Sequence, residues 1–309
     1  MYDLAIIGGG PAGVAAGVYA ARKRLKSVLI TESFGGQSMD SVGIENWIGT
    51  VNISGIDLAK SFEAHVRAYA GDIVDIKTGS RVQKLEKKPE GGFVVTTANG
   101  SFEARAVLIA TGGVRRKLEA VGAAEFENKG LTYCASCDGP LFSGQDVLVV
   151  GGGNAGFETA AQLLAYAKSV TLVHRGAECS KADAKTVEAV TKHPNMKVLL
   201  NTKPVEVKGS GFVSSVVVEN VQTGEKTELP VAGVFVEIGM LPSTDFAKGT
   251  VELDSFGRVV TNPKNQHTST EGVWAAGDCT DELYHQNNIA AGDAVKALED
   301  IYFSLRAGK

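Results

Sequence analysis

Residues 131–140 read LTYCASCDGP, which sets Cys134, Cys137 and Asp138 side by side. A Cys-x-x-Cys pair can be half a zinc site, a redox dithiol or an inert pair. Structural zinc needs four ligands, usually two such pairs. Cys179 and Cys279 are single, and the five histidines offer no closely spaced pair. Redox chemistry is the stronger reading. The small residues Ala135 and Ser136 leave room for a partner sulfur or a flat ring. The thiolate is the reactive form, and local positive potential lowers its pKa. Asp138 is either a turn residue before Gly139-Pro140 or an acid–base group. Disulfide interchange must protonate a leaving thiolate, and a carboxyl raised by partial burial can do so.

Glycine-rich turns stand on either side of these residues. In DLAIIGGGPAGVAAGVYAARKR, an apolar strand Leu4–Ile7 runs into Gly8, Gly10 and Gly13 at G-x-G-x-x-G spacing. A helix of small residues follows, and then the strand SVLITES, ending at Glu32. Such a turn lets the backbone approach a pyrophosphate at the helix N-terminus, and the acid suits ribose hydroxyls. The pattern returns 143 residues later in DVLVVGGGNAGFETAAQLLAYAKSVTLVHRG, with Gly151, Gly153 and Gly156. Its second strand ends at His174-Arg175. A carboxylate there would repel a 2′-phosphate, whereas arginine can pair with it. Two nucleotides are implied, one selected by an acid and one by bases.

The chain has 309 residues, 44% of them hydrophobic and 21% charged, with 37 glycines and a net charge of −4. That suits two domains with real cores and gives no argument for nucleic acid or an anionic membrane. The N-terminus enters a strand directly, so a signal peptide is not expected and the expected compartment is the cytoplasm. The strand in ARAVLIATGG ends at Thr111, close to the first nucleotide. VAGVFVEIGMLPST reads as the matching strand of the second domain. WAAGDC and the helix after it read as a return to the first domain. The expected fold is α/β, with two Rossmann-like domains, the second inserted in the first: 1–113 with 244–309, and 114–243. The segments RVQKLEKKPEGGFVVTTANGSFEARAV and PVEVKGSGFVSSVVVENVQTGEKTELPVAG both read as antiparallel hairpin layers. His65 and His193 read as surface helix residues and His267 as a loop residue. Trp47 and Trp274 read as packing, and Cys179 and Cys279 as bystanders.

Taken together, IIGGGPAG, CASCDG, VVGGGNAG and WAAGDC resemble the low-molecular-weight thioredoxin reductases over essentially the whole chain. FGGQ, IENWIG and YHQNNIAAGDAVKAL are similar to that family's FAD-contacting segments. GGQSMDSVGIENW, VKGSG, SKAD and FVEIGMLP are also close to the C-terminal half of the alkyl hydroperoxide reductase flavoprotein, without its extra N-terminal dithiol region. The resemblance implies an FAD-dependent disulfide reductase of the pyridine nucleotide-disulfide oxidoreductase type, working as a homodimer. It implies FAD contacts at Gln37, Asn46, Asp278 and Gln286, beside Gly8, Gly10, Gly13, Glu32 and Thr111. It also implies that Cys137 meets the flavin, that Cys134 attacks an external disulfide and that Asp138 supplies the proton. One dithiol cannot touch flavin and substrate at once, and in the family the inserted domain rotates between the two.

The pyridine nucleotide stretch, VHRGAECSKAD, departs from the pattern of the NADPH-using relatives. His174 and Arg175 match, Gly176 replaces a second arginine, and Lys181 stands one residue from a third. NADPH is the expected donor, with NADH or ferredoxin as alternatives. Thioredoxin is the expected acceptor. A glutaredoxin-like or peroxiredoxin-linked carrier, dithiol oxidation by O₂, and a non-catalytic redox sensor are the other readings. His285 stands where relatives often have arginine.

Overall fold

The structure is a computed structural model that describes residues 1–41, 43–180 and 182–307. Its chain contacts separate two compact units, residues 1–114 with 241–309 and residues 115–240. The crossings carry the short strands β7 (Gly113–Arg115) and β16 (Met240–Pro242). Among the described residues no helix is long and apolar enough to cross a membrane.

The first unit is built on β1 (Tyr2–Ile7), β2 (Ser27–Ile30), β3 (Val74–Lys77), β4 (Val82–Lys87), β5 (Phe93–Thr97), β6 (Gly100–Ile109) and β17 (Val273–Ala275). The sheet order is β3-β2-β1-β6-β5-β4, with β17 also on β6. Strands β1, β2, β3 and β17 run parallel to their neighbours, while β4, β5 and the start of β6 are antiparallel. The hairpin layer and the strand of ARAVLIATGG are therefore one sheet, joined through the ten residues of β6. Its first half pairs with β5, and its second half pairs with β1.

Both faces of this sheet are covered, so β1 and β2 read as apolar runs without alternation. Leu4, Ile6, Leu29 and Leu108 meet helices α1 (Pro11–Arg22), α2 (Gly55–Ala70) and α6 (Asn287–Ala307). Ala5, Ile7, Val28 and Ile109 face Leu85, Phe93, Val251 and Val259. Helix α1 buries eight small or medium residues. They let it lie close to both the sheet and its neighbouring helices: a Cβ on Gly17 would meet Val66 at 2.8 Å. Trp274 is buried here and donates from Nε1 to Asp300 at 2.9 Å. Trp47 packs edge-on against Phe62.

The second unit repeats the device. Its five strands are β8 (Leu131–Thr132), β9 (Asp146–Val150), β10 (Ser169–Val173), β11 (Met196–Leu199) and β15 (Gly233–Val236), in the order β11-β10-β9-β15-β8. All pairs are parallel. Helices α3 (Ala135–Asp138), α4 (Asn154–Leu163) and α5 (Ala184–Thr191) belong to this unit. Strands β12 (Thr202–Ser210), β13 (Phe212–Asn220) and β14 (Lys226–Pro230) form an antiparallel sheet. Its Val207, Val216 and Val218 pack on Leu148 and Val150. Phe157 and Leu163 fill the opposite face against Val147 and Val149. His193 lies just beyond α5 instead of within it, and its Nδ1 accepts from the Asn195 N–H.

Candidate active site and nucleotide clefts

The two glycine turns are copies of one backbone arrangement. Gly8 N donates to Ile30 O at 2.9 Å, and Gly151 N donates to Val173 O at 3.0 Å. Both glycines take positive φ, +125° and +128°. In each case a Cβ would lie 2.1 Å from a carbonyl oxygen just beyond the next strand, that of Ala110 or of Glu237. Gly13 and Gly156 seat their helices on these turns: a Cβ on either would lie 1.9 Å from the oxygen of Gly8 or Gly151. Gly10 and Gly153 cap α1 and α4 and carry no side chain to fill the first turn. Each turn therefore offers free N–H groups and room for a phosphate.

In the first unit the turn opens on a cleft of about 570 Å³, within the usual range for a cofactor site. Gly8, Gly10, Glu32, Gln37, Thr111 and Asp278 all line it. Gln37 Nε2 donates to Asp278 Oδ2 at 3.2 Å, tying the loop after β2 to the turn after β17. Thr111 lines the cleft, and its buried Oγ1 makes no protein hydrogen bond of ordinary geometry, although it also lies near the Cys279 thiol and lowers it. A glycine cradle, an exposed acid beside it and a polar lining that includes Thr111 fit a flavin dinucleotide. Asn46 and Gln286 do not line the cleft. They bond to each other at 3.2 Å, and their side chains satisfy the loop pairing. Ser38 and Arg81 line it and were not anticipated, and Asn287, which falls within YHQNNIAAGDAVKAL, lines it as well. Ser38 had a signal, its place next to Gln37; Arg81 had none, because the register of β4 is not readable locally.

In the second unit, Gly151, Gly153 and Gly156 lie at the C-terminal edge of β9, while His174 and Arg175 follow β10. His174 and Cys179 both pack over Gly152, where a Cβ would meet them at 2.6 and 2.8 Å. Arg175 is exposed. Lys181 lies outside the described residues. Glu237, unanticipated, follows β15: Thr159 Oγ1 donates to its Oε1 at 3.0 Å, and Arg115 Nη1 to its Oε2 at 3.4 Å. Comparing VFVEIG with LIATGG would have shown a carboxylate where the first copy has Ala110.

Cys134 and Cys137 form a disulfide with a Cα–Cα distance of 5.3 Å. Cys134 caps α3, and its Sγ accepts from the Cys137 N–H at 3.2 Å. Asp138 ends the helix, and Thr132 Oγ1, from β8, donates to its Oδ2. The same hydroxyl accepts from Cys134 N at 3.3 Å. Burial raises the Asp138 carboxyl above its ordinary value, and the Thr132 bond works in the opposite direction. Cys279 is wholly buried, and burial pushes its thiol up to about 11. Cys179 is half-buried, with its thiol also raised by burial. His285 Nε2 lies 3.0 Å from Glu282 O.

The family of pyridine nucleotide-disulphide oxidoreductases matches residues 2–294. The chain belongs to that family. It therefore carries an oxidoreductase fold of the kind that works with FAD and a pyridine nucleotide. It is 36% identical to thioredoxin reductase from Streptococcus pyogenes, with 99% of each chain covered and a TM-score of 0.90. With thioredoxin reductase from Giardia duodenalis the identity is 32% and the TM-score 0.92, again over 99% of each. Among curated relatives, it is 39% identical to an alkyl hydroperoxide reductase protein of Escherichia coli and 38% identical to an NADH dehydrogenase of Bacillus subtilis. Both alignments cover 96% of this chain and 57% of the relative, so the chain spans little more than half their length.

Proposed function

We propose that this protein reduces a small protein disulfide, thioredoxin first among the candidates, with electrons from NAD(P)H passed through FAD and the Cys134–Cys137 pair. The observation that carries this is one hydrogen-bonded loop: a closed disulfide, a backbone N–H on Cys134 Sγ, and a carboxyl raised by burial one residue beyond Cys137. When bound, the flavin would supply a two-electron relay between nicotinamide and disulfide. Unit 1 would hold it through the Gly8–Gly13 turn, with Glu32, Gln37, Thr111 and Asp278 along the cleft. Unit 2 would hold the pyridine nucleotide at Gly151–Gly156, with His174 and Arg175 toward the adenosine end; Lys181, expected with them, lies outside the described residues.

The residues of the loop then divide the chemistry. Once reduced, Cys134 Sγ keeps the Cys137 N–H, which stabilises a thiolate there. This favours Cys134 as the thiol that attacks the substrate sulfur. Cys137 takes the opposite role and recloses the disulfide. Asp138, whose carboxyl burial shifts toward the protonated form, gives its proton to the departing substrate thiolate. The Thr132 hydroxyl keeps the carboxyl oriented. A homodimer and a cytoplasmic setting belong to the same proposal. The test is anaerobic bleaching of the flavin by NADPH and by NADH, followed by turnover with thioredoxin and a disulfide dye. Bleaching without turnover on any carrier would leave a redox sensor and remove the reductase.

A second acceptor is favoured by the 39% identity to the Escherichia coli alkyl hydroperoxide reductase protein. It is a disulfide carrier feeding a peroxide-reducing protein, and faster turnover with a glutaredoxin-like carrier than with thioredoxin would select it.

A further inference from the structure

Glu237 carries a nearly buried carboxyl just beyond β15, at the carboxyl end of the second unit's sheet. The strand order of the second unit's parallel sheet reverses between β9 and β15, and ligands of such sheets lie across the carboxyl ends of the strands at that point. His174 and Arg175 follow β10, on one side of the turn. Glu237 follows β15, on the other, and its own carbonyl backs Gly151. With the adenosine end over β10 and the pyrophosphate on α4, the nicotinamide end falls over β15. We propose that Glu237 is a positioning residue whose ionisation lets the site discriminate the cationic oxidised nicotinamide from the neutral reduced ring. This rests on the proposal that the second unit binds a pyridine nucleotide.

The carboxyl is held from two elements. Thr159 of α4 donates to one oxygen, and Arg115 of β7 to the other. Only 10% of the Glu237 side chain is exposed, against 36% for Arg115. Burial raises the carboxyl, Arg115 and Thr159 lower it, and Glu158, also on α4, raises it again. When Glu237 is protonated, Arg115 leaves a net positive charge beside the ring and disfavours the oxidised form. When Glu237 ionises, the pair is neutral and that penalty goes. The proton leaves to solvent, and no bond to the nucleotide changes. At reduced dielectric, one unit charge near the ring is worth about tenfold in relative affinity. A carboxylate that loosens reduced against oxidised nucleotide would help retain the oxidised form after hydride transfer, and the effect would fade in acid.

The test uses the full chain with its flavin and two nucleotides that cannot reduce it, NADP⁺ and its 1,4,5,6-tetrahydro analogue. These differ in ring charge, so titration of the 2′-phosphate cancels in the ratio of their dissociation constants. In the wild type the preference for NADP⁺ should grow about tenfold as pH rises through the Glu237 transition, which burial moves above the ordinary carboxylate range. Glu237→Gln keeps a partner for Thr159 and should make the ratio independent of pH. Arg115→Gln removes the opposing charge and should move the transition to higher pH, which keeps the test alive if the first variant does not fold. A wild-type ratio that is flat with pH, or a transition that persists in Glu237→Gln, overturns the proposal while leaving nucleotide binding intact. If neither nucleotide binds at any pH, the nucleotide assignment of the unit itself fails, and this inference with it.

Discussion

Replacing Thr132 by valine removes a hydroxyl that donates to Asp138 Oδ2. That bond favours the ionised carboxylate, and it opposes the burial that raises the group. Without it the carboxyl rises further. A hydrogen bond to a charged group is worth about 1.5–3 kcal/mol net. One pH unit corresponds to about 1.36 kcal/mol, so the rise is about one to two units. Only the protonated carboxyl can donate to a leaving thiolate. Steady-state disulfide turnover should therefore hold at low pH and fall as pH passes the raised pKa of Asp138. In Thr132→Val the falling limb moves to higher pH by about one to two units. Thr132→Ser keeps both hydroxyl contacts and should superpose on the wild type. Asp138→Asn should lower turnover by about 10²–10⁴-fold on the low-pH plateau and remove the falling limb. A limb that stays in place in Thr132→Val, or an Asp138→Asn variant within a few-fold of wild type, would refute the assignment of the proton to Asp138.

Cys137→Ser should leave flavin bound and reducible by nucleotide, yet abolish disulfide turnover; persistent turnover would remove the dithiol from the pathway. Arg175→Ala should weaken NADPH by about ten- to a hundredfold, the worth of a charge-assisted bond to phosphate, and leave NADH unchanged in parallel binding titrations. Gly13→Ala puts a methyl 1.9 Å from Gly8 O, where only backbone can yield. It should cost about 3 kcal/mol in thermal unfolding and release flavin. Cys279 carries a thiol raised to about 11, so it should resist alkylation at about pH 8 while the reduced Cys134–Cys137 pair reacts, as read by mass spectrometry of the native protein.

Much of this was legible because backbone constraints leave local marks. G-x-G-x-x-G after an apolar run specifies both the turn and the helix, and Gly8 and Gly151 sit in near-identical geometry. Gln37 and Asp278, named for flavin contact in the sequence, both line the cleft. Contacts between distant segments were harder. Asn46 and Gln286 stand 240 residues apart and satisfy each other, which no local pattern can announce. Arg81 enters the cleft through the register of β4, and register is set by pairing across the sheet. The partner of Asp138 lies six residues away on a two-residue strand, too short to be read from periodicity.

The doubling of one backbone device also explains where the two copies diverge. The turn, the helix seat and the carbonyl that closes on the first glycine are the same in both, because any side chain there would collide with backbone. The copies differ instead in the residues that follow the second strand and the closing strand. After the second strand, the first copy ends in Glu32 and the second in His174-Arg175. After the closing strand, the first has Ala110 followed by the buried hydroxyl of Thr111, and the second has Glu237 locked to Arg115 and Thr159. A neutral hydroxyl imposes no dependence on pH on its ligand, whereas a titratable carboxyl does. Exchanging the two, with Ala110→Glu and Glu237→Ala, should therefore carry proton-linked binding from the second unit to the first only if the partners of the carboxyl travel with it. Without an arginine and a hydroxyl, a buried glutamate in the first unit would stay protonated and contribute only its volume.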